Sequence, residues 1–162
     1  MEDLGFSAKQ LQGILVDAAY GRAMRMAHLL ESRLVTFLMY HAVENNYRID
    51  RVRIKKMTLG VLSKEFIAKF NPSEQIEEEL DNMVLFRNEL AHRISDTIVT
   101  AAIHEDWPER VVQELTEITS YFQDTLDLLE PYVEKGYRVL NASEEDLLRV
   151  VGKLYPGLKV DG

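Results

Sequence analysis

The chain has 162 residues, 46% of them hydrophobic and 28% charged, with a formal net charge of −8. That size fits a single domain, 1–162, with a real core; eight glycines, four prolines and no cysteine exclude collagen-like, disulfide-stapled and thiolate-metal proteins. No apolar run is long enough to cross a membrane, and the start MEDLGFSAKQ has neither the basic nor the apolar part of a signal peptide, so no membrane and a cytoplasmic location are expected.

Ser7-Ala8-Lys9-Gln10 is a capping-box pattern, which predicts a helix beginning just after Ser7. Apolar residues then recur at helical spacing from Leu11, Ile14, Leu15 and Ala18 through Leu30, Leu34 and Phe37 to His41. Asn45 and Asn46 are stop signals, placing the end between 42 and 45. Gly13 and Gly21 weaken this helix or admit a close neighbour, with a break near Gly21 as one outcome.

Tyr47 to Met57 is polar and basic and reads as a connection. Thr58 is positioned to cap a short second helix, with Leu59, Leu62, Phe66, Ile67 and Phe70 inward. Asn71-Pro72-Ser73-Glu74 reads as a start signal, with Asn71 as cap and Pro72 at the first position. The helix it opens, Ile76 to Asp96, has Ile76, Leu80, Met83, Val84, Leu90, Ala91 and Ile94 on one face. Arg87 projects from the middle of that face, where a permanent charge needs a partner. Asn88 and His92 stack on the adjoining flank with Leu85, and Leu85 and Phe86 point away from the first apolar face. A helix apolar on two sides suggests burial against a second body, such as another copy of the chain.

Residues 97–106, TIVTAAIHED, fit no single assignment. Pro108 then starts a helix with a narrow stripe, Val111, Leu115, Ile118, Phe122, Leu126, Leu129 and Val133, which Pro131 should kink or split; Trp107 anchors its start. Asn141-Ala142-Ser143-Glu144 caps a last short helix carrying Leu147, Leu148, Val151 and Leu154. The expected fold is all-α, an up-and-down bundle of four or five helices.

A di-iron bundle needs two E-x-x-H motifs and two further carboxylates. Glu89 to His92 supplies one motif and no other histidine follows a glutamate at that distance, so no metal and no cofactor are expected. Neither G-x-x-x-x-G-K-[ST] nor G-x-G-x-x-G occurs. His41 reads as a core residue, and the pair Arg22/His28 as structural. Net charge of −8 argues against sequence-blind nucleic-acid binding. Residues 48–69 nevertheless hold a local basic track, in which Arg51, Arg53, Lys55 and Lys56 are the candidate RNA contacts.

Arg87, Asn88 and His92 are the candidate catalytic residues. An imidazole, with an ordinary pKa near ~6.5, takes or gives a proton near neutrality. A guanidinium grips a phosphate and offsets charge that builds in the transition state, and a carboxamide orients the scissile group. No metal is needed when the nucleophile is the 2′-hydroxyl of RNA. That cleavage uses a base and an acid, and one helix offers one histidine. A two-fold dimer meeting at His92 would bring a second copy to the axis, with Leu85 and Phe86 as its apolar contact. The same Arg and His near a helix C-terminus also suit the helix dipole, a purely structural role.

The segment TLGVLSKEF…FRNELAHRI, Thr58 to Ile94, resembles the HEPN domain superfamily (higher eukaryotes and prokaryotes nucleotide-binding). Its members carry Arg, four to six residues, then His, often with Asn directly after the Arg, as Arg87, Asn88 and His92 do. The resemblance implies an all-helical, commonly dimeric fold and a metal-independent endoribonuclease of toxin–antitoxin or other defence systems. It implies acid/base work for His92, phosphate and transition-state charge for Arg87, positioning for Asn88, and an antitoxin protein as partner. One toxin subgroup has an adenylylated tyrosine two residues after the His. Ile94 stands there, so that control is not implied. Other members are noncatalytic scaffolds, and a helical dimerisation or partner-binding module is the alternative reading.

Overall fold

The computed structural model describes residues 7–92 and 107–140. Six helices lie among them: α1 (Ala8–Glu44), α2 (Arg51–Ile54), α3 (Leu59–Phe70), α4 (Glu74–His92), α5 (Trp107–Leu128) and α6 (Glu130–Leu140). No strand occurs among the described residues, so the expected all-α bundle is the fold observed. None of these helices is long and apolar enough to cross a membrane. The expected helix from Asn141, the segment 97–106 and the end of the central helix at 93–96 lie outside the described residues.

The bundle is organised on α1, whose 37 residues span about 55 Å. Its capping box is complete: the Gln10 N–H donates to Ser7 Oγ at 3.3 Å and the Ser7 N–H donates to Gln10 Oε1 at 2.8 Å. At the other end the Asn45 side chain donates to the His41 carbonyl at 2.8 Å, and Asn46 takes a left-handed φ of 52°. Gly21 does not break the helix. It and Gly13 are exposed with no neighbour within 4 Å of a built Cβ, so neither admits a close approach. The buried line runs through Val16, Ala19, Ala23, Ala27, Leu30, Leu34 and Phe37. Leu11, Ile14, Leu15 and Ala18, which the spacing puts on the apolar side, are exposed.

α1 packs on α3, α4, α5 and α6, most extensively on α5. Near its C-terminal end sits an aromatic cluster. Phe37 meets Phe66 at 5.6 Å, Phe66 stacks on Phe70 at 4.7 Å, and Tyr132 of α6 stands edge-on to Phe66 at 5.1 Å. Phe37 lies against Phe66 and His41 against Phe70, so residue numbers rise together and α3 runs parallel to α1. α4 then returns antiparallel to α3, with Gly60 beside Val84.

The connection read at 47–57 and the start signal read at 71–74 differ in detail from expectation. The connection contains one helical turn, α2, because the Asp50 carboxylate accepts the N–H groups of Val52 and Arg53 at 2.9 and 3.0 Å. Thr58 is the N-cap of α3, without a side-chain cap bond. Asn71 does not cap α4. It ends α3 in the left-handed region at φ 44°, ψ 59°, a conformation asparagine tolerates, and Pro72 follows because it cannot continue a helix. Ser73 supplies the first carbonyl of α4, accepting from Ile76 at 2.9 Å and Glu77 at 3.1 Å.

Pro131 splits the last stripe as expected. The Leu129 N–H is shared between the carbonyls of Thr125 and Leu126, and Leu129 separates α5 from α6. The stripe itself is inward throughout: Val111, Leu115, Phe122, Leu126, Leu129 and Val133 are buried and Ile118 partly so. Gly136 is a point of close approach, because a Cβ there would run into the fully buried ring of Tyr40. Burial pushes the Tyr40 phenol well above its ordinary range, helped by Glu44 and then Tyr132.

Two consequences are measurable. Gly136→Ala should destabilise the fold by about 1–3 kcal/mol, seen as a lower urea midpoint at unchanged slope, since the Tyr40 ring has nowhere to move. His41 accepts or donates a 3.0 Å hydrogen bond with the Tyr47 hydroxyl. Its pKa is lowered by burial first and by Lys69 and Lys135, with Glu44 opposing. The unfolded chain therefore binds the proton more readily, and this contribution is full above the ordinary pKa near ~6.5 and declines as pH falls through the lowered value. The difference in melting temperature between wild type and His41→Gln should shrink from pH 7.5 to pH 5. A constant difference would show that the imidazole carries no such linkage.

Candidate functional site

α4 buries Ile76, Leu80, Met83 and Leu90 against the bundle and leaves Leu85, Asn88, Ala91 and His92 exposed. Ala91 departs from its expected inward place, because α3 starts alongside Val84 and does not extend to cover the next turns of α4. Around the helix Ala91 lies between Arg87 and Asn88, so Arg87, Ala91, Asn88 and His92 form one strip from half-buried to open.

The partner that Arg87 requires is Glu31 of α1. Arg87 Nε lies 3.4 Å from Glu31 Oε1, with the two side chains 27% and 19% exposed. Nε is itself buried and without an aligned hydrogen bond, so the contact is an ion pair and not a directed N–H···O bond. The exposed quarter of the side chain therefore lies on other atoms, away from Nε.

Glu31 has a second basic neighbour, His28, whose Nδ1 is 3.1 Å from Oε2. The carboxylate thus stands between an imidazole and a guanidinium. Spacing along the chain gives His28 only Arg22 as companion, and Arg22 is exposed with no contact to this group among the described residues. The i, i+3 step from His28 to Glu31 was the signal available in the sequence, and the link from Glu31 to α4 was not. One turn further along, the Tyr20 hydroxyl donates to the Leu90 carbonyl at 3.3 Å, tying the end of α4 to α1.

The two apolar residues beside the strip part company. Phe86 is half-buried and stacks on Tyr121 of α5 at 5.5 Å and 19°, so its partner is within the chain. Leu85 is 63% exposed. Of the basic track, Arg53, Lys55 and Lys56 are exposed, and the track leads into the first turn of α3, the turn that abuts Val84 one turn from Arg87. Arg51 opens α2. His41, read as a core residue, is partly buried between Phe70 and Tyr47. Among the described residues no three histidine or acidic side chains gather as a metal would require.

Comparisons with protein-family models, curated proteins and solved structures find no match for this chain. The Glu31–Arg87 pair gives a measurable check on the geometry of the site. A double-mutant cycle on Glu31→Ala and Arg87→Ala should return a coupling of about 1–2 kcal/mol, above the ~0.2–1 kcal/mol of exposed pairs. A coupling near zero would place the two side chains apart in solution.

Proposed function

We propose that the chain is a cytoplasmic, metal-independent endoribonuclease of HEPN type, working as a homodimer in stress or phage defence and held in check by an antitoxin protein. The observation that carries this reading is Arg87: a guanidinium ion-paired on its Nε side with Glu31, beside an open strip that bears Asn88 and His92. A guanidinium held near a counter-charge on one side, with a quarter of the side chain exposed, keeps N–H groups for a phosphate. His92, exposed, is free to exchange a proton with a substrate. Asn88 lies on the same flank and orients the scissile group. Arg51, Arg53, Lys55 and Lys56 supply the positive charge along which an RNA backbone runs, on a body whose overall charge is negative. Exposed Leu85 is the apolar contact of the two-fold pair.

A second reading is a noncatalytic helical pairing module. Its support is that Glu31 already supplies the counter-charge of Arg87 within one protomer while Leu85 is left for a partner. Cleavage separates the two. Wild type should cut RNA in the presence of EDTA and leave a 2′,3′-cyclic phosphate, and His92→Ala should abolish the cut with helicity unchanged. Equal cleavage by both proteins would return the chain to the pairing module. Replacing Arg51, Arg53, Lys55 and Lys56 together should weaken RNA binding and flatten its dependence on salt. Leu85→Asp should shift sedimentation from dimer to monomer.

A further inference from the structure

Cleavage through a 2′-hydroxyl needs two proton-transfer groups, and α4 carries one imidazole among its described residues. A second stands in the same protomer. His28 is 62% exposed, lies on α1 one turn before Glu31, and shares the Glu31 carboxylate with Arg87. We propose that His28 is the general base of this site, oriented by Glu31, so that one protomer holds both imidazoles the reaction uses. The inference rests on the nuclease reading and changes its second histidine from the dimer partner's copy to one on α1.

The geometry supports it in three ways. With its proton on Nδ1, His28 donates to Glu31 Oε2 across 3.1 Å, which fixes the tautomer and leaves the Nε2 lone pair on the opposite edge of the ring. The carboxylate also stabilises the imidazolium that forms once Nε2 takes up a proton. Its other oxygen is the ion-pair partner of Arg87, so the base and the phosphate-binding group share one counter-charge. Glu31 is the positioning residue for both, and it is far less exposed than His28.

The step balances without a co-reactant. His28 Nε2 takes the proton of the 2′-hydroxyl, the 2′-oxygen bonds to phosphorus, and the bond from phosphorus to the 5′-oxygen breaks. The leaving 5′-oxygen keeps the electron pair and takes a proton from His92. The products are a 2′,3′-cyclic phosphate and a 5′-hydroxyl, and both imidazoles return to their starting states by exchange with water.

A leaving-group bypass tests the assignment with the full-length chain. Two substrates are compared: an oligoribonucleotide that wild type cleaves, and the same strand with sulfur replacing the 5′-oxygen of the cleaved link. Sulfur leaves without needing a proton, so it restores a variant lacking the acid and not one lacking the base. His28→Ala should lose about 100-fold or more on both substrates, a loss of the size general base catalysis supplies. His92→Ala should lose as much on the oxygen substrate and recover on the sulfur one. Glu31→Gln should lose at least about tenfold on both, with circular dichroism showing each variant folded. If His92→Ala is inactive on oxygen but His28→Ala stays within about twofold of wild type, the nuclease reading stands and this proposal falls. Recovery of His28→Ala by sulfur would also overturn it, by making His28 the acid. Wild type and His92→Ala cutting at one rate would remove the nuclease reading itself, and the proposal with it.

Discussion

The continuity of α1 is the constraint on which the rest of the structure depends. Its buried line begins at Val16 and continues unbroken past Gly21 to Tyr40 and Ala42. Four helices pack against that line. A kink at Gly21 would turn Tyr20 and the turns before it away from Glu31, and α4 is tied to both levels: Leu90 accepts from Tyr20, and Arg87 pairs with Glu31. The small residues Ala19, Ala23 and Ala27 keep the first half of the line slim, while Phe37 and Tyr40 thicken its second half into the aromatic cluster. The continuous helix is thus wide at one end and narrow at the other, and the charged cluster lies between.

That placement explains how a permanent charge sits on a core-facing helix position. Arg87 is near the edge of the α1–α4 contact, one turn past the level at which α3 covers α4. It loses part of its hydration and gains one carboxylate, a balance that partly buried pairs reach more easily than fully enclosed ones. The same carboxylate takes His28, so two basic groups from different helices depend on one acid. Removing Glu31 would leave both without their counter-charge.

Much of the fold was legible in the sequence because local chemistry decided it. Ser7 and Gln10 fixed the start of α1, Asn45 and Asn46 its end, and Pro131 the break at Leu129. Periodicity identified the inward stripe of α5 and α6 and the core side of α4. What was not legible turned on tertiary placement. Asn71 suits an N-cap and a left-handed C-cap equally well, and only the geometry of α3 chooses the latter. Leu11, Ile14 and Leu15 repeat at helical spacing, yet periodicity does not say how far a neighbour extends along a helix. Phe86 looked outward from α4 because nothing in its surroundings in the chain announced Tyr121. At the site, Arg87 was recognisable as a charge in need of a partner. Its link to Glu31 was not, since that contact joins residues far apart in the chain and carries no spacing rule, unlike the i, i+3 step from His28 to Glu31.

Tyr132 joins Phe37, Phe66 and Phe70 from the far end of the described chain. On a ribosome the other three rings are made long before it. Until α6 emerges and docks through Gly136 on Tyr40, a nascent chain carries this aromatic surface uncovered, the kind of patch that chaperones bind and that drives misassembly when synthesis stalls.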